Sequence, residues 1–414
     1  MKNMNLQKFS AIILVALLIG MVSVPASLAD SNSEQTMIKS DGRNICSVSE
    51  KDYSSKTYEE NIYLVKFCSD PAEYPPVGIH VLKKKEIKPK EFNILLPGTG
   101  FNSSTNFFVN EKKSMAEFLA DKGILVVGVD YPETNIEFDP TADYNYMATM
   151  GLSQHTDDLE KIVKLVQKET GISKYSVVGH SLGGLIGLDF ASKHSSDRNL
   201  LGLYVIDTAG TLNSSQEPQL VQSQRDDYNA TAALISDGKT VNFEILGLAI
   251  LAVNAKTDPG GDSGVPNPTG VNWTNYQYLL IASIYTGLIP GNEIFVQGFF
   301  AGDLFKGLYH TPIETVYSIA SQGKIFPLKI NEDMFGIYAG VPGSYQINWK
   351  NIKVPVKWEN FELGFGSRGE EAANLIKQGG NQNVRFWVVP GYAHIDGVYS
   401  LKARQDVWNP LFAH

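Results

Sequence analysis

The sequence predicts an α/β fold with a mostly parallel, doubly wound sheet that carries a large insertion. Short apolar runs typical of buried strands alternate with helical patterns from residue 92 to residue 207. The alternation stops after Asp207 and resumes near Val354. Residues 210–350 combine glycine, proline and aromatic residues without regular alternation, so we expect a cap inserted between two strands of the sheet.

The predicted elements before the insertion follow from apolar runs and turn residues. Polar residues 30–60 give little periodic signal and are interpreted as a loose lead-in. The clearest helix, residues 156–168, places its apolar side chains on one face and ends at Gly171. A second helix is predicted over residues 110–122, and strands are predicted at 62–67, 77–82, 92–96, 124–129, 175–178 and 200–206.

After the insertion, the sequence predicts strands at 354–356 and 384–389 and a terminal helix over about 398–412. The chain therefore divides into four parts. These are a signal peptide, a first part of the α/β core, a cap or lid, and a second part of the core, over residues 1–29, 30–209, 210–350 and 351–414.

The first residues have the pattern of a secretory signal peptide. Lys2 and Lys8 precede an unbroken apolar run from Ala11 to Val22, and small residues follow it. We expect cleavage after Ala29 and export of the mature protein as a secreted, periplasmic or cell-surface protein. An uncleaved anchor is the alternative, although the apolar run is short for a membrane span.

Charge and cysteine content narrow the possible partners. The 414 residues carry a formal net charge of −9, and nucleic acid is not expected as a partner because phosphate binding needs a basic surface. Cys46 and Cys68 are the only cysteines, and two thiols in an exported protein usually pair. We expect a disulfide between them rather than a zinc site, which would need more ligands nearby.

The stretch Gly179–Gly184 predicts a nucleophilic serine. It follows an apolar strand and precedes a helical pattern, which is the setting of a G-x-S-x-G nucleophile elbow. Such a turn places the hydroxyl of Ser181 above the edge of the sheet. The backbone N–H of Leu182, at the start of the helix, can then donate to an oxyanion.

A serine hydroxyl needs a base, and in this kind of sheet the acid and the histidine follow the serine in the chain. His394 is the histidine that follows the last predicted strand, so we expect it to be the base; a surface pair with Asp396 is the alternative. The acid is Asp207, at the end of the strand after the elbow, or Glu362 or Glu359, after the strand near Val354.

The loop Pro97–Gly100 follows a predicted buried strand and should supply a second oxyanion donor. We expect the backbone N–H of Thr99 to be that donor. The glycine-rich stretch Asp258–Gly264 lacks the ligand spacing of a calcium loop and is interpreted as a turn. No metal or organic cofactor is expected.

Four segments resemble the lipase and chlorophyllase-like branch of the α/β-hydrolase superfamily: Leu95–Gly98, Gly179–Gly184, Val205–Gly210 and Gly391–Asp396. The resemblance covers about 92–210 and 350–414. It implies the α/β-hydrolase fold and an acid after the strand that follows the elbow, which favours Asp207. Pro97, Ala393 and the long insertion depart from the pattern of that branch.

Together these features predict an exported serine hydrolase, a carboxylesterase or lipase, acting on a small-molecule or lipid ester. Two apolar runs of the insertion, Ile245–Val253 and Leu279–Ile289, are expected to wall an acyl pocket above Ser181. A peptidase or acyltransferase would use the same three residues. A non-catalytic exported binding protein is the third class.

Overall fold

The computed structural model of the chain describes residues 38, 44–109, 114–136, 139, 141–267, 269–284, 295–301, 304–322 and 325–413. A nine-stranded sheet forms the centre of these residues. The predicted signal peptide, residues 1–29, lies outside them.

Three antiparallel strands form one end of the sheet: β1 (Ile45–Asp52), β2 (Tyr58–Phe67) and β3 (Val77–Lys84). The expectation of a loose lead-in over residues 30–60 is wrong for β1 and for the start of β2. β1 is the edge strand, and most of its side chains are exposed or half-buried. Its sequence therefore has no apolar period that would indicate a strand.

Cys46 and Cys68 form the expected disulfide, which joins β1 to the end of β2. We expect its reduction to lower the free energy of unfolding by about 3 kcal/mol, because it closes a loop with a sequence separation of 22. Denaturant titration of the oxidised and reduced forms measures the difference. Intact mass after alkylation, with and without reduction, is the control, and two free thiols in the purified protein would contradict the bridge.

Four strands of the parallel part of the sheet precede the insertion: β4 (Phe92–Leu96), β5 (Leu125–Asp130), β6 (Tyr175–His180) and β7 (Leu200–Ile206). Their bounds lie within two residues of the prediction. β4, β5 and β6 are buried along their whole length, which is why they appear in the sequence as unbroken apolar runs.

Four helices accompany these strands: α1 (Ser103–Phe107), α2 (Met115–Asp121), α3 (Leu152–Thr170) and α4 (Leu182–Lys193). α2 forms the second half of the helix predicted over 110–122, and residues 110–113 lie outside the described residues. It begins at a capping box between Ser114 and Glu117, and α3 ends at Gly171, as predicted.

Between β7 and the next strand of the main sheet, the described residues form helices and two-stranded ribbons. The helices are α5 (Pro218–Ser236), α6 (Glu244–Thr257), α7 (Asn275–Ile284), α8 (Ile313–Ser321) and α9 (Leu328–Ala339). The ribbons pair β8 (Val241–Asn242) with β13 (Phe326–Pro327), β9 (Asp262–Pro266) with β10 (Asn272–Thr274), and β11 (Gly298–Ala301) with β12 (Leu304–Leu308).

The two apolar runs of the insertion lie in α6 and α7, and residues 285–289 lie outside the described residues. Leu248, Ala252 and Leu279 pack together with α8 in an apolar cluster separate from the main core. These buried side chains hold the insertion together. It remains a prediction that the two apolar runs also line a pocket above Ser181.

After the insertion, β14 (Val356–Phe361) and β15 (Val384–Val389) extend the parallel part beside β7. The strand order of the sheet is β1-β2-β3-β5-β4-β6-β7-β14-β15. The strand predicted at 354–356 is therefore displaced, and Glu359 lies inside β14 rather than after it. Polar residues at 357, 359 and 360 interrupt the apolar run that would have revealed the strand.

The chain ends with α10 (Glu370–Gln378), α11 (Asp396–Tyr399), a π-helical turn (Arg404–Trp408) and α12 (Asn409–Leu411). The single terminal helix predicted over 398–412 is wrong, because Ser400 adopts an extended backbone that separates α11 from the π-helical turn. The predicted fold class, a mostly parallel sheet with helices, is confirmed. No helix among the described residues is long and apolar enough to cross a membrane.

Candidate active site

Ser181 lies at a strained turn between β6 and α4. Its backbone has φ 55° and ψ −121°, a region that residues with a side chain rarely occupy. The turn is closed so tightly that a Cβ at Gly179 would lie 2.2 Å from the carbonyl oxygen of Gly183. A Cβ at Gly183 would lie 2.0 Å from the carbonyl oxygen of Leu96. The spacing of the two glycines around the serine thus has the steric cause that the sequence indicated.

The loop after β4 approaches the side chain of Ser181. A Cβ at Gly98 would lie 3.3 Å from the Cβ of Ser181. Gly98 N–H is already used, since it donates to Asn106 Oδ1 at 2.8 Å. Thr99 N–H has no hydrogen-bond partner among the described residues. The hydroxyl of Tyr131 donates to Pro97 O at 3.1 Å and supports the start of the loop.

Leu182 is the first residue of α4, and its N–H has no acceptor within the described part of the chain. The first N–H groups of a helix lack intrahelical partners and carry the positive end of the helix dipole. The N–H groups of Thr99, one residue after Gly98, and of Leu182, one residue after Ser181, thus have no acceptor among the described residues. Unused N–H donors are what an oxyanion site requires.

His394 and Asp207 form a buried hydrogen-bonded pair. His394 Nδ1 lies 2.6 Å from Asp207 Oδ2, and the two residues are 3% and 0% exposed. Asp207 Oδ1 accepts from the backbone N–H groups of Phe361 and Phe365 at 2.7 and 3.1 Å. The two backbone donors fix the orientation of the carboxylate, and an ionised Asp207 accepts from the imidazole only when the proton is on Nδ1.

The structure brings Ser181 and His394 to the same edge of the sheet without a direct hydrogen bond between them. Within the described residues, neither Ser181 Oγ nor His394 Nε2 has a hydrogen-bond partner. His180 links the two positions, because its Nε2 lies 3.1 Å from His394 O and the two rings lie 4.7 Å apart. Catalytic hydrogen bonds are often long or poorly aligned before substrate binds, so the lack of this bond does not exclude a serine–histidine pair.

The two alternative acids lie elsewhere. Glu359 is fully buried in β14, and neither of its carboxyl oxygens has a partner among the described residues. Glu362 follows β14 and accepts from Gly391 N–H at 2.8 Å. Neither carboxyl forms a hydrogen bond with His394 in the described structure.

Burial controls the charge of the buried pair. It lowers the pKa of His394, so the imidazole is neutral near neutral pH and can accept a proton at Nε2. Burial raises the pKa of Asp207 to about 7, and the N–H groups of Phe361 and Phe365 oppose the rise. Burial, and secondarily the charge of Asp207, raises the pKa of Glu359 well above its usual range, which favours its neutral form.

The residues that surround His394 were not predicted from the sequence. Phe295 and Phe365 place their rings 5.5 and 5.4 Å from the ring of His394. Asp396, which the sequence offered as a surface partner of His394, is fully buried and accepts hydrogen bonds from other residues. Apart from the bond between Ala393 and Asp396, these contacts join residues at least 29 positions apart in the chain, so no local pattern could have indicated them.

Comparisons with known proteins agree with this architecture. A family profile described as the alpha/beta hydrolase fold matches residues 94–246. A protein of Sulfolobus solfataricus, provisionally assigned as a lipase, has a similar structure with a TM-score of 0.60. It is 16% identical, and the alignment covers 87% of this chain and 96% of that one.

Two other solved structures are similar at lower scores. The epoxide hydrolase VrEH1 from Vigna radiata gives a TM-score of 0.47 at 14% identity, covering 83% of this chain and 95% of that one. A thermophilic esterase from Thermogutta terrifontis gives 0.41 at 13% identity, covering 78% and 89%. No curated protein matches by sequence. The profile match and the structural similarity agree with the α/β-hydrolase fold that the sequence predicts.

Proposed function

We propose that the protein is a serine hydrolase that cleaves carboxylic esters through an acyl-enzyme. The observation that carries the proposal is the buried His394–Asp207 pair, joined at 2.6 Å, at the sheet edge where Ser181 occupies a strained turn. Serine, acid and histidine follow β6, β7 and β15 in the chain order typical of this fold.

In the proposed reaction, Ser181 Oγ attacks the ester carbonyl while His394 Nε2 accepts its proton. The N–H groups of Leu182 and Thr99 donate to the oxyanion of the tetrahedral intermediate. His394 then protonates the leaving alcohol, and an acyl-serine remains. Water, deprotonated by the same imidazole, releases the acid and restores Ser181.

Asp207 is proposed as the acid of this mechanism. Its carboxylate holds the proton of His394 on Nδ1, which leaves Nε2 free to act as the base. It also stabilises the imidazolium that forms in each step. Its own orientation is supported by two backbone N–H groups, so the histidine is held by an acceptor that cannot easily rotate.

We further propose that residues 210–350 act as a cap over this site and that the mature protein is exported. The cap proposal is supported by the position of the insertion between β7 and β14, directly after Asp207. The Cys46–Cys68 disulfide is compatible with an oxidising compartment. Peptidase and acyltransferase activity would need the same residues and differ in the acceptor and the cap.

Labelling with a fluorophosphonate probe tests the hydrolase proposal against the binding-protein alternative. We expect one phosphonyl group per chain on the peptide that contains Ser181, and none in Ser181→Ala. Ester, peptide and acyl-transfer assays with the same preparation then separate the three enzyme classes. A folded wild-type protein that does not react with the probe would refute the proposal.

The acid limb of kcat/KM is expected near pH 7. The active pair has ionised Asp207 and neutral His394, and burial raises the pKa of Asp207 to about 7. Activity is therefore full above this pH and is lost as the pH falls through it. Initial rates from pH 4 to 9, each with a return to pH 8 to establish reversibility, measure the limb. A limb centred below pH 5 would contradict this assignment.

We expect esters of medium or long acyl chains to be preferred over acetate. Phe295 and Phe365 give the surroundings of His394 an apolar character, and each buried methylene adds about 0.8 kcal/mol until the pocket ends. Nitrophenyl esters from about two to sixteen carbons measure the profile. A profile that is highest at two carbons and falls steadily would argue against an acyl pocket under the cap.

A further inference from the structure

Asp396 is a buried carboxylate that the proposed reaction does not use. It is fully buried, and three donors satisfy it. The hydroxyl of Thr311 donates to Oδ1 at 2.6 Å. The backbone N–H groups of Gln297 and Ala393 donate to Oδ2 at 3.0 and 3.1 Å. A buried donor that loses its acceptor destabilises the fold, so these three hydrogen bonds hold Asp396 and its donors together.

The donors come from two distant parts of the chain. Ala393 belongs to the histidine loop, residues 390–396, which follows β15. Gln297 and Thr311 flank the β11–β12 ribbon of the insertion. Tyr309 N–H donates to Gln297 O at 3.0 Å, which joins the two ends of the ribbon at the place where Asp396 binds them.

Other contacts connect the same two parts. Ile395 N–H donates to Phe295 O at 3.0 Å, and His310 Nε2 donates to Gly391 O at 2.8 Å. The ring of His310 stacks on Tyr392 with centroids 4.5 Å apart and an interplanar angle of 14°. The described parts of segment 295–311 therefore lie against the histidine loop at several points, with the buried carboxyl of Asp396 at the centre of the contact.

We propose that Asp396 is a positioning residue that fastens segment 295–311 of the insertion to the histidine loop and holds Phe295 against the imidazole of His394. The two rings lie 5.5 Å apart. The inference rests on the proposed function, because it gives the insertion a part in setting the catalytic geometry. Asp207 binds Nδ1 of the same imidazole, so Asp396 acts on the position of the loop and not on the proton.

Asp396→Asn is the sharpest test. The asparagine can keep one oxygen for Thr311, but its amide nitrogen then faces two N–H donors, Gln297 and Ala393, that have lost their acceptor. We expect amide hydrogen exchange in segment 295–311 to become about tenfold faster. We also expect kcat/KM to fall about 10- to 100-fold, since small misplacements of catalytic groups have effects of that size.

Part of the decrease in kcat/KM of Asp396→Asn should appear as a higher KM. A merely structural role would lower the amount of active protein, and KM does not depend on that amount. Fluorophosphonate titration of active sites corrects kcat for the same effect. A KM and a corrected kcat both equal to wild type would overturn the positioning role.

Two further variants keep the test decisive. Thr311→Val preserves the shape of the side chain and removes one donor, so exchange in segment 295–311 should rise in the same direction by a smaller factor. If Asp396→Asn does not fold, Thr311→Val serves as the test in its place. Asp406→Asn is the matched control, because Asp406 accepts from the hydroxyl of Tyr392 at 2.7 Å and has no hydrogen bond to the insertion among the described residues. It should leave the exchange of the segment unchanged.

The outcomes for this inference and for the hydrolase proposal are distinct. Unchanged exchange in segment 295–311 for folded Asp396→Asn and Thr311→Val overturns the inference, whatever the protein hydrolyses. A wild-type protein that does not react with fluorophosphonate overturns the hydrolase proposal and, with it, the catalytic half of this inference. The exchange measurement needs no substrate, so it decides the attachment of the segment in either case.

Discussion

Ser181→Ala and His394→Ala are each expected to lower ester turnover by about three to six orders of magnitude. The serine variant lacks the nucleophile, and the histidine variant lacks the base that ionises it. The unused N–H groups of Leu182 and Thr99 remain in both variants, so oxyanion stabilisation should leave some turnover above the uncatalysed rate. Steady-state kinetics with a nitrophenyl ester measure the loss.

The double variant should be little worse than either single one, because the two residues act as a unit. Ser196→Ala and His194→Ala are matched controls at the far end of α4, with an exposed serine and a half-buried histidine that stacks on Phe190. Both controls should keep turnover within about threefold of wild type. Turnover within tenfold of wild type in Ser181→Ala or His394→Ala would exclude the assignment.

The elbow and the parallel strands could be predicted because their causes are local. A buried parallel strand is apolar on both faces, and it appears in the sequence as an unbroken run such as Phe92–Leu96. The glycines around Ser181 are required by backbone contacts within the turn itself and with the adjacent strand β4. The carboxyl ends of parallel strands meet at one edge of the sheet. The candidate acid and histidine follow later strands, so their position at the same edge as the serine could be predicted.

Other features could not be predicted because their causes are not local. β1 is an edge strand with mostly exposed or half-buried side chains and no apolar period. Glu359 lies within β14 because the strand continues through polar residues between β7 and β15. Two of the three donors to Asp396 come from residues 85 and 99 positions away in the chain. Asn106 accepts the N–H of Gly98, which leaves the N–H groups of Thr99 and Gly100 without an acceptor among the described residues.

Asp207→Asn is expected to lower turnover by about four orders of magnitude with little change in fold. Asp207 Oδ1 accepts two backbone N–H groups, from Phe361 and Phe365. An asparagine keeps these bonds only if its oxygen takes the Oδ1 position, which directs its NH₂ group at His394 Nδ1. The imidazole must then accept at Nδ1 and carry its proton on Nε2, where it cannot take the proton of Ser181.

Glu362→Gln is the matched control, because a glutamine retains an oxygen that can accept Gly391 N–H. We expect it to lower turnover less than tenfold. Glu359→Gln replaces a neutral buried carboxyl by a neutral amide and should change stability more than turnover. Thermal unfolding of all three variants separates the two effects. The opposite result would be a loss of four orders of magnitude in the turnover of Glu362→Gln or Glu359→Gln, with the turnover of Asp207→Asn near wild type. The acid would then lie on or after β14, and the 2.6 Å contact of His394 with Asp207 would have another role.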